Sequence, residues 1–259
     1  MKFVLVIAGS DSSGGAGVQA DIKTISSLGA HALTAISAVT AQSSQEITSV
    51  HRIPARFISR QVETILKDVT PHAVKIGMLY SVEAVLEIAG LVDKHKLNPV
   101  VLDPVMESSS GRDLLESDAL LAMKEKLIPL ASVVTPNLHE AGILSNIPVG
   151  SVEDMIEAAK IINTMGPDVI VTGGHLEDRC IDVLFDGKEV NKIEGIKIDS
   201  PNTHGSGCVF ASSLATFLAQ GRKLETAAKM AHDFTKNAIK SGYSCGKGAG
   251  PVLPLKITL

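Results

Sequence analysis

Aromatic side chains are scarce in this chain of 259 residues: Trp is absent, and aromatic residues make up only 3% of the sequence. Proteins that hold single-stranded nucleic acids stack the bases on aromatic rings, so a platform of that kind is not expected here. The formal net charge is -4 and no basic block occurs, which also argues against nucleic acid as a partner. We therefore expect the chain to act on a small molecule.

Cysteine is also sparse. Cys180, Cys208 and Cys245 lie far apart and form no C-x-x-C pair, which argues against a disulfide framework and against a zinc site. This cysteine usage fits the reducing cytoplasm. No apolar run approaches the roughly 18 residues that a membrane span requires. We therefore expect a cytoplasmic protein that makes no contact with a membrane.

Short β-rich runs alternate with helical patterns along the whole chain. This alternation predicts an α/β fold, a three-layer αβα sandwich with a mostly parallel central sheet, and a single domain over residues 1–259. The predicted strands are residues 3–8, 32–39, 73–76, 100–102, 132–134, 169–171, 181–185 and 190–196. The predicted helices are residues 16–28, 55–68, 82–95, 117–128, 152–165, 209–219 and 223–241.

Glycine-rich and polar segments follow several of the predicted strands. In open α/β sheets, ligands bind beyond the C-terminal ends of the strands, so these segments are expected to meet at one edge and line one site. They are residues 9–17, 103–106, 135–140 and 172–175.

Residues 203–208 precede an apolar helical stretch and form the most informative segment of the chain. The small residues at 205–207 allow several backbone N–H groups to point one way, and a helix that begins there adds unpaired N–H groups and the positive end of its dipole. This combination predicts a phosphate site. The same field is expected to lower the pKa of the Cys208 thiol. His204 and Cys208 could instead form a nucleophilic pair, although the sequence identifies no carboxylate that would orient the histidine.

The glycine-rich segment 9–17 leads into Gly15-Ala16-Gly17-Val18-Gln19-Ala20, which fits the dinucleotide fingerprint G-x-G-x-x-A. It begins seven residues after the first predicted strand, and no acidic residue stands at the position that binds ribose, so the dinucleotide interpretation is disfavoured. No Gly-Lys-Ser/Thr follows, which excludes a P-loop. A flexible turn is the simpler interpretation, with Asp11 as a candidate contact to an amine or a hydroxyl group.

Asp103 and Glu140 each follow a β-rich run. Mg²⁺ in nucleotide chemistry uses one or two carboxylates and keeps water molecules, so this pair could hold it. The alternative is that Asp103 caps a turn and that Glu140 is a solvated helix residue.

Gln42 and Met78 follow two other strands. The Gln42 amide can donate to and accept from a heterocycle, and the Met78 thioether can pack on a flat ring or simply fill the core.

Six segments occur in a fixed order along nearly the whole chain: residues 8–24, 40–42, 75–79, 103–106, 135–141 and 203–208. In this order they resemble the hydroxymethylpyrimidine/phosphomethylpyrimidine kinases of the ribokinase-like superfamily. The resemblance implies a ribokinase-like fold and ATP-dependent phosphorylation of 4-amino-5-hydroxymethyl-2-methylpyrimidine, and then of its monophosphate, in thiamine biosynthesis. It also implies ATP and Mg²⁺ as cofactors and a homodimer.

The same resemblance implies a role for particular residues. Cys208 would accept a proton at the position where sugar kinases carry an aspartate, and the backbone of Gly205, Ser206 and Gly207 would form the anion hole. The residues implied to bind the pyrimidine are Gln42, Gly9, Asp11 and Met78; those implied to bind the nucleotide are Asn137, Thr172, Gly174 and Thr203; and those implied to hold Mg²⁺ are Asp103 and Glu140.

The chain departs from the family pattern in two places. Thr172 stands where family members often carry a lysine, which affects the expected contact with the nucleotide phosphates. Residues 107–113 contain Glu107 and lack the usual lysine, which affects the handling of a second phosphate. Two alternatives therefore stay open: a pyridoxal or pyridoxine kinase, and a pyrimidine-binding sensor that keeps the fold without turnover.

Overall fold

A central β-sheet organises the chain in a computed structural model that describes residues 1–108, 111–174, 176 and 179–255. His175, which belongs to one of the predicted site segments, and residues 109–110 lie outside the described residues. The strands are β1 (Phe3–Asp11), β2 (His31–Gln42), β3 (Ile47–Arg52), β4 (Ala73–Ile76), β5 (Val100–Leu102), β6 (Val133–Val134), β7 (Asp168–Val171), β8 (Cys180–Phe185) and β9 (Val190–Gly195).

The strands lie in the order β3-β2-β1-β4-β5-β6-β7-β8-β9. The six strands from β2 to β7 in this order are parallel to one another. At the two edges, β3 pairs antiparallel with β2, and β8 pairs antiparallel with both β7 and β9. The sheet is therefore mostly parallel, as predicted, and the C-terminal ends of its central strands share one edge.

Helices cover both faces of the sheet. They are α1 (Gly17–Ser27), α2 (Ala55–Leu66), α3 (Val82–His95), α4 (Ser117–Ala122), α5 (Leu138–Ser145), α6 (Val152–Asn163), α7 (Ser206–Ala219) and α8 (Leu224–Lys240). None of the described helices is both long and apolar enough to cross a membrane.

Alternate residues of β1 point to opposite faces of the sheet. Val4 and Val6 pack with α1, α7 and α8, whereas Leu5 and Ile7 pack with α2, α3 and α6. The predicted three-layer αβα sandwich is thereby confirmed.

The sequence pattern predicts β4, β5 and α3 at their observed bounds, and most other elements within a few residues. It misses β3 because most residues of this edge strand are exposed, so no apolar alternation marks it. It also misses the short helix α5. The predicted helix 117–128 is too long as an α-helix, because α4 ends at Ala122. The chain stays helical beyond it, first as a π-helical turn (Met123–Leu127) and then as a 3₁₀ turn (Ile128–Leu130) that contains Pro129, which lacks a backbone N–H.

A buried ion-pair network lies under the edge of the sheet where the site forms. Lys75 on β4 is fully buried, and its Nζ lies 3.1 Å from Asp21 Oδ1 on α1 and 3.5 Å from Asp103 Oδ2 after β5. Ser212 on α7 donates a hydrogen bond of 2.6 Å to Asp21. Burial by itself would lower the pKa of the Lys75 ammonium, but the negative charges of Asp21 and Asp103 raise it, so the group stays charged. The network joins α1, α7 and two central strands.

We expect Lys75→Met to lower the free energy of unfolding by about 3–5 kcal/mol, because it leaves buried carboxylates without their counter-charge. The matched control is Lys94→Met, which removes an exposed ion pair with Glu63 in which the side chains are 62% and 38% exposed. This control should cost no more than about 1 kcal/mol. Urea unfolding of both variants measures the difference, and equal small losses would contradict the structural role of Lys75.

Candidate functional site

A cavity of 890 Å³ lies at the C-terminal ends of the parallel strands. Its volume is large enough for two small substrates to bind side by side. Every residue that received a candidate role from the sequence lines this cavity. They are Gly9, Asp11, Gln42, Met78, Asp103, Asn137, Glu140, Thr172, Gly174, Thr203, Gly205, Ser206, Gly207 and Cys208.

The wall that the sequence marks as a phosphate site is the first turn of α7. Gly205 precedes the helix in the left-handed region with φ 84°, and a Cβ built on it would lie 1.9 Å from the carbonyl oxygen of Gly15. Glycine is therefore required at 205, both for the backbone conformation and for the close approach of the turn after β1. Gly207 and Cys208 lie in the first helical turn, where N–H groups have no intrahelical acceptor. The backbone here can bind an anion.

The Cys208 thiol lies against the turn after β1 and against Asp103. The backbone N–H of Gly17 and the Asp103 carboxylate are both close enough to the thiol to act on its pKa. Burial raises the pKa of the thiol to about 12; Lys75 opposes this shift, while Asp103 and Asp21 add to it. The expectation of a lowered thiol pKa is therefore wrong, because the partial charge of a helix terminus is weaker than desolvation combined with two nearby carboxylates.

Asp11, at the end of β1, organises the glycine-rich turn. Its Oδ1 accepts the backbone N–H of Ser13, and its Oδ2 accepts those of Gly15 and Ala16 at 3.1 and 2.8 Å. Oδ2 also lies 2.9 Å from His204 Nε2. Burial favours the protonated acid, but the hydrogen bonds from His204, Ser13 and Ala16 outweigh it and lower the pKa of Asp11 to about 2. Because both oxygens are occupied, this geometry favours a positioning role for Asp11 over direct contact with a substrate.

His204 connects this turn to the predicted pyrimidine site. Its Nε2 lies 3.4 Å from Nε2 of Gln42, whose side-chain oxygen accepts a hydrogen bond of 3.0 Å from Thr40. A Cβ on Gly9 would come within 2.8 Å of the Met78 sulfur, so glycine at this position leaves room for that side chain. The cavity therefore presents an amide on one strand end and a thioether on another, an arrangement that suits a flat heterocycle.

Glu140 is buried, which shows that the solvated-residue alternative was wrong. It is the third residue of α5 in a capping box: its Oε2 accepts the Asn137 N–H at 2.9 Å, and its own N–H donates to Asn137 Oδ1 at 2.9 Å. Burial and the negative charge of Asp103 raise the pKa of Glu140 to about 8, against the N–H groups of Asn137 and Met106. The segments after β5 and β6 are thus held together.

The chemistry of this carboxylate pair fits Mg²⁺. Within the described residues, Asp103 Oδ2 is buried and has no hydrogen-bond partner, although Lys75 Nζ lies 3.5 Å away. The mutual repulsion between Asp103 and Glu140 would be relieved by a divalent cation, and oxygen is the ligand that Mg²⁺ prefers. These residues are therefore able to hold the ion that the sequence predicts.

The far end of the cavity lies beside β8, β9 and α8. Here potential ligand atoms of Cys180, Asp182 and His232 lie within 4.8 Å of one another. Both Asp182 oxygens already have partners, the Gly173 N–H at 2.9 Å and His232 Nδ1 at 2.7 Å. We therefore assign these residues to the support of the cavity wall rather than to a metal ion.

The sequence analysis missed four contributors to the site. Lys75 lies in one of the six family-like segments but receives no predicted role, His204 is considered only as a partner for Cys208, and Asp182 and His232 are not identified. A lysine within the otherwise apolar run of β4 is a signal that could have been used, because a charged residue in a buried strand needs a buried partner. The partners of the other residues come from distant parts of the chain and leave no local pattern.

Comparison with known proteins identifies relatives along the length of the chain. Residues 11–253 match the family described as phosphomethylpyrimidine kinase. The chain is 39% identical to the hydroxymethylpyrimidine/phosphomethylpyrimidine kinase of Streptomyces coelicolor over 96% of this chain and 93% of the relative. It is 40% identical to the thiamine biosynthesis bifunctional protein ThiED of Geobacter sulfurreducens over 96% of this chain, and spans about half, 51%, of that relative. Among solved structures, an ADP complex of Bacillus subtilis pyridoxal kinase matches with a TM-score of 0.91 and 38% identity over 97% of both chains.

The Asp11 contacts predict a pH dependence of stability. The pKa of Asp11 is about 2 in the folded chain and 3.8 as its ordinary value, so its contribution is complete above about pH 4 and is lost as the pH falls towards 2. We expect Asp11→Asn to lower the free energy of unfolding at pH 7 by about 2 kcal/mol, and the difference from wild type to shrink below pH 4. Urea unfolding at pH 7, 4 and 3 measures this.

The control for this experiment is Asp93→Asn, which changes a carboxylate that is 63% exposed. It should alter the free energy of unfolding by less than about 1 kcal/mol at each pH. A difference between wild type and Asp11→Asn that stays constant from pH 7 to pH 3 would show that the Asp11 charge does not stabilise the turn.

Proposed function

Because the chain belongs to the phosphomethylpyrimidine kinase family and is thus a phosphotransferase, we propose that it transfers the γ-phosphoryl group of ATP to 4-amino-5-hydroxymethyl-2-methylpyrimidine. A second transfer converts the monophosphate to the diphosphate for thiamine biosynthesis. One observation carries this proposal: a single cavity is lined by the first turn of α7, the Asp103–Glu140 pair and Gln42. The names of the relatives in Streptomyces coelicolor and Geobacter sulfurreducens support it.

The pyrimidine alcohol binds at the end of the cavity near β1 and β2. The Gln42 amide, held by Thr40, faces the ring nitrogen and the exocyclic amine, because it can accept from one and donate to the other. The ring packs against the Met78 thioether. In this orientation the hydroxymethyl group is directed towards Cys208 and the first turn of α7. Asp11 keeps His204 and the glycine-rich turn in place.

ATP binds with its transferring phosphoryl group at the first turn of α7. The backbone N–H groups of Gly205, Ser206 and Gly207 stabilise the charge on the phosphoryl oxygens, and such a donor contributes about 3 kcal/mol to catalysis in known cases. The ADP complex of Bacillus subtilis pyridoxal kinase supports ATP as the nucleotide. The remaining residues proposed to contact ATP are Asn137, Thr172, Gly174 and Thr203.

Asp103 and Glu140 would hold Mg²⁺, directly or through water molecules, and the ion when bound neutralises phosphate charge. Asp103 is suited to this because its Oδ2 accepts no hydrogen bond within the described chain. The fully buried Lys75 forms an ion pair with this oxygen, with 3.5 Å between Lys75 Nζ and Asp103 Oδ2.

In the transfer step, the hydroxyl oxygen of the substrate forms a bond to the γ-phosphorus while the bond to the β–γ bridging oxygen breaks and ADP leaves. The hydroxyl proton passes to the Cys208 sulfur. Because burial raises the pKa of the thiol to about 12, the sulfur is protonated at neutral pH, and it accepts the hydroxyl proton only after its own proton has passed to solvent. Positioning and charge stabilisation supply most of the rate, and the base adds a smaller part.

Pyridoxal is the second candidate substrate. The observation that favours it is the close structural similarity to Bacillus subtilis pyridoxal kinase, with a TM-score of 0.91. Pyridoxal also carries a hydroxymethyl group on a six-membered nitrogen heterocycle, so Gln42 and Met78 could bind it in the same way. Because Thr172 stands where family members often carry a lysine, a non-catalytic sensor stays a further alternative. Binding of the alcohol without consumption of ATP would reveal such a sensor.

Domain organisation, oligomeric state, location and partners complete the proposal. The chain acts as one domain over residues 1–259, as a homodimer in the cytoplasm, and neither nucleic acid nor a membrane is a partner. The family resemblance supports the homodimer, and the charge and composition support the choice of a small-molecule partner. Sedimentation velocity of the purified chain measures the oligomeric state.

Analysis of the products tests the reaction. We expect incubation with Mg²⁺-ATP and the pyrimidine alcohol to give the monophosphate and then the diphosphate, as measured by phosphorus NMR and mass spectrometry. A parallel incubation with pyridoxal tests specificity. Faster phosphorylation of pyridoxal would contradict the proposed substrate, and binding of either alcohol without consumption of ATP would contradict the proposed reaction.

We expect Cys208→Ala to lower kcat by about 100-fold, since general acid–base groups typically contribute at least that much, while the KM for ATP changes by less than about twofold. The reason is that the sulfur contacts the reacting hydroxyl group, whereas the backbone of α7 holds the phosphate. Cys245→Ala, at an exposed cysteine, is the matched control and should leave both constants unchanged. An equal loss of ATP binding and turnover would instead indicate that Cys208 is structural.

A further inference from the structure

A buried aspartate–histidine pair lies at the end of the cavity opposite the predicted pyrimidine site. Asp182 on β8 and His232 on α8 are both 4% exposed, and Asp182 Oδ2 lies 2.7 Å from His232 Nδ1. The hydrogen bond with Asp182 raises the pKa of His232. The pair therefore links the helical layer to the sheet. Both residues also help to line the cavity.

The other oxygen of Asp182 holds the turn that follows β7. Asp182 Oδ1 accepts the buried N–H of Gly173 at 2.9 Å. A Cβ on Gly173 would lie 1.9 Å from the carbonyl oxygen of Ile181, so the turn packs directly on the backbone of β8. On its other side, the turn is fixed by the Thr172 N–H, which donates a hydrogen bond of 2.9 Å to the carbonyl oxygen of Pro136. Asp182 therefore sets the position of the segment that carries Thr172 and Gly174.

The pair is far from the predicted pyrimidine site. Five inter-strand steps separate β1 from β8 in the sheet, which at about 4.8 Å a step amounts to about 24 Å. Asp11 and Gln42 lie at the ends of β1 and β2, whereas Asp182 lies on β8. A change at the pair is therefore expected to affect one end of the cavity and to leave the other end in place.

Nε2 of His232 has no stabilising partner in the packing. Within the described residues it is buried without a hydrogen-bond partner, and it fills the space that a Cβ on Gly195 would occupy, at a distance of 2.1 Å. A side chain with a single donor to Asp182 and no second polar atom would keep the contact of Nδ1 and avoid the cost of this unpartnered nitrogen. Positions that break a packing rule in this way are often retained for function.

We propose that Asp182 and His232 are positioning residues for the nucleotide. His232 fixes the Asp182 carboxylate, the carboxylate fixes Gly173, and the turn then presents Thr172 and Gly174 to ATP. This inference rests on the proposed function in one respect, that the nucleotide occupies this end of the cavity. It assigns a function to the contact between α8 and β8 that the sequence motifs do not reveal.

The test compares two substitutions of His232 in the full chain. His232→Leu removes the donor to Asp182 and keeps much of the bulk, whereas His232→Asn places an amide N–H near the position of Nδ1. We expect His232→Leu to raise the Kd for AMP-PCP, measured by calorimetry with Mg²⁺, by about tenfold, as expected for the loss of 1.4 kcal/mol. His232→Asn should restore the Kd to within about threefold of wild type, since one donor hydrogen bond is regained.

The Kd for the pyrimidine alcohol is the internal comparison. It should change by less than about twofold in both variants, because the pair lies about 24 Å from that end of the sheet. His72→Leu is the matched control. It removes a half-buried histidine outside the cavity whose Nδ1 accepts a hydrogen bond of 3.2 Å from the Phe3 N–H. Both dissociation constants of this control should stay at the wild-type values.

Two results would overturn the inference: parallel weakening of AMP-PCP and pyrimidine binding by His232→Leu, or failure of His232→Asn to restore AMP-PCP binding. If His232→Leu does not fold, Asp182→Ala decides the matter. It removes both the acceptor for the Gly173 N–H and the partner of His232 Nδ1, so the Kd for AMP-PCP should rise by about tenfold with pyrimidine binding unchanged. An unchanged AMP-PCP Kd for Asp182→Ala would also overturn the inference.

These measurements are separable from the test of the proposed reaction. Direct binding of AMP-PCP requires no turnover and does not depend on which alcohol is phosphorylated. If wild type binds AMP-PCP but phosphorylates neither alcohol, the proposed reaction fails while the positioning role can still be measured. If wild type turns over and the His232 variants bind AMP-PCP like wild type, the positioning role fails alone.

Discussion

The arrangement of the site depends on one buried positive charge. The ammonium of Lys75 lies between Asp21 on α1 and Asp103 after β5, and Ser212 on α7 completes the contact with Asp21. Without this cation, two carboxylates would lie unneutralised in the core, a situation that costs several kcal/mol. The same charge keeps α7 and the Asp103 segment in a fixed relation, so the anion-binding turn and the carboxylates face one cavity. The electrostatics that stabilise the fold and those that shape the site are therefore shared.

The fold follows closely from the sequence because its signals are local. Short β-rich runs and amphipathic helices alternate, and Gly, Asp or Pro marks most strand ends, so the sheet, its layers and the lining of the cavity could all be predicted. The charge states of the site residues could not be predicted, because they depend on partners that folding brings from elsewhere in the chain. The Cys208 thiol illustrates this: the helix terminus is visible in the sequence, whereas desolvation and the nearby Asp103 and Asp21 are not. The same reason hid the Asp182–His232 contact, whose partners lie on β8 and α8.

The cavity has two ends that are supported by different parts of the molecule. Near β1, the Asp11–His204 contact holds the glycine-rich turn beside Gln42. Near β8, Asp182 holds the turn after β7. The first turn of α7 and the Asp103–Glu140 pair lie between them. This division allows the two ends to bind chemically different molecules.

The close approach of Gly205 to Gly15 has a consequence for the order of folding. The two glycines belong to opposite ends of the sequence, and their contact forms the wall at which α7 begins. His204 is further tied to the last described segment through its backbone contacts with Gly250 and Val252. A nascent chain that ends before residue 205 contains every strand of the sheet but cannot form this wall. The wall therefore forms only after α7 has been synthesised, because contacts between distant segments can form only once both are present.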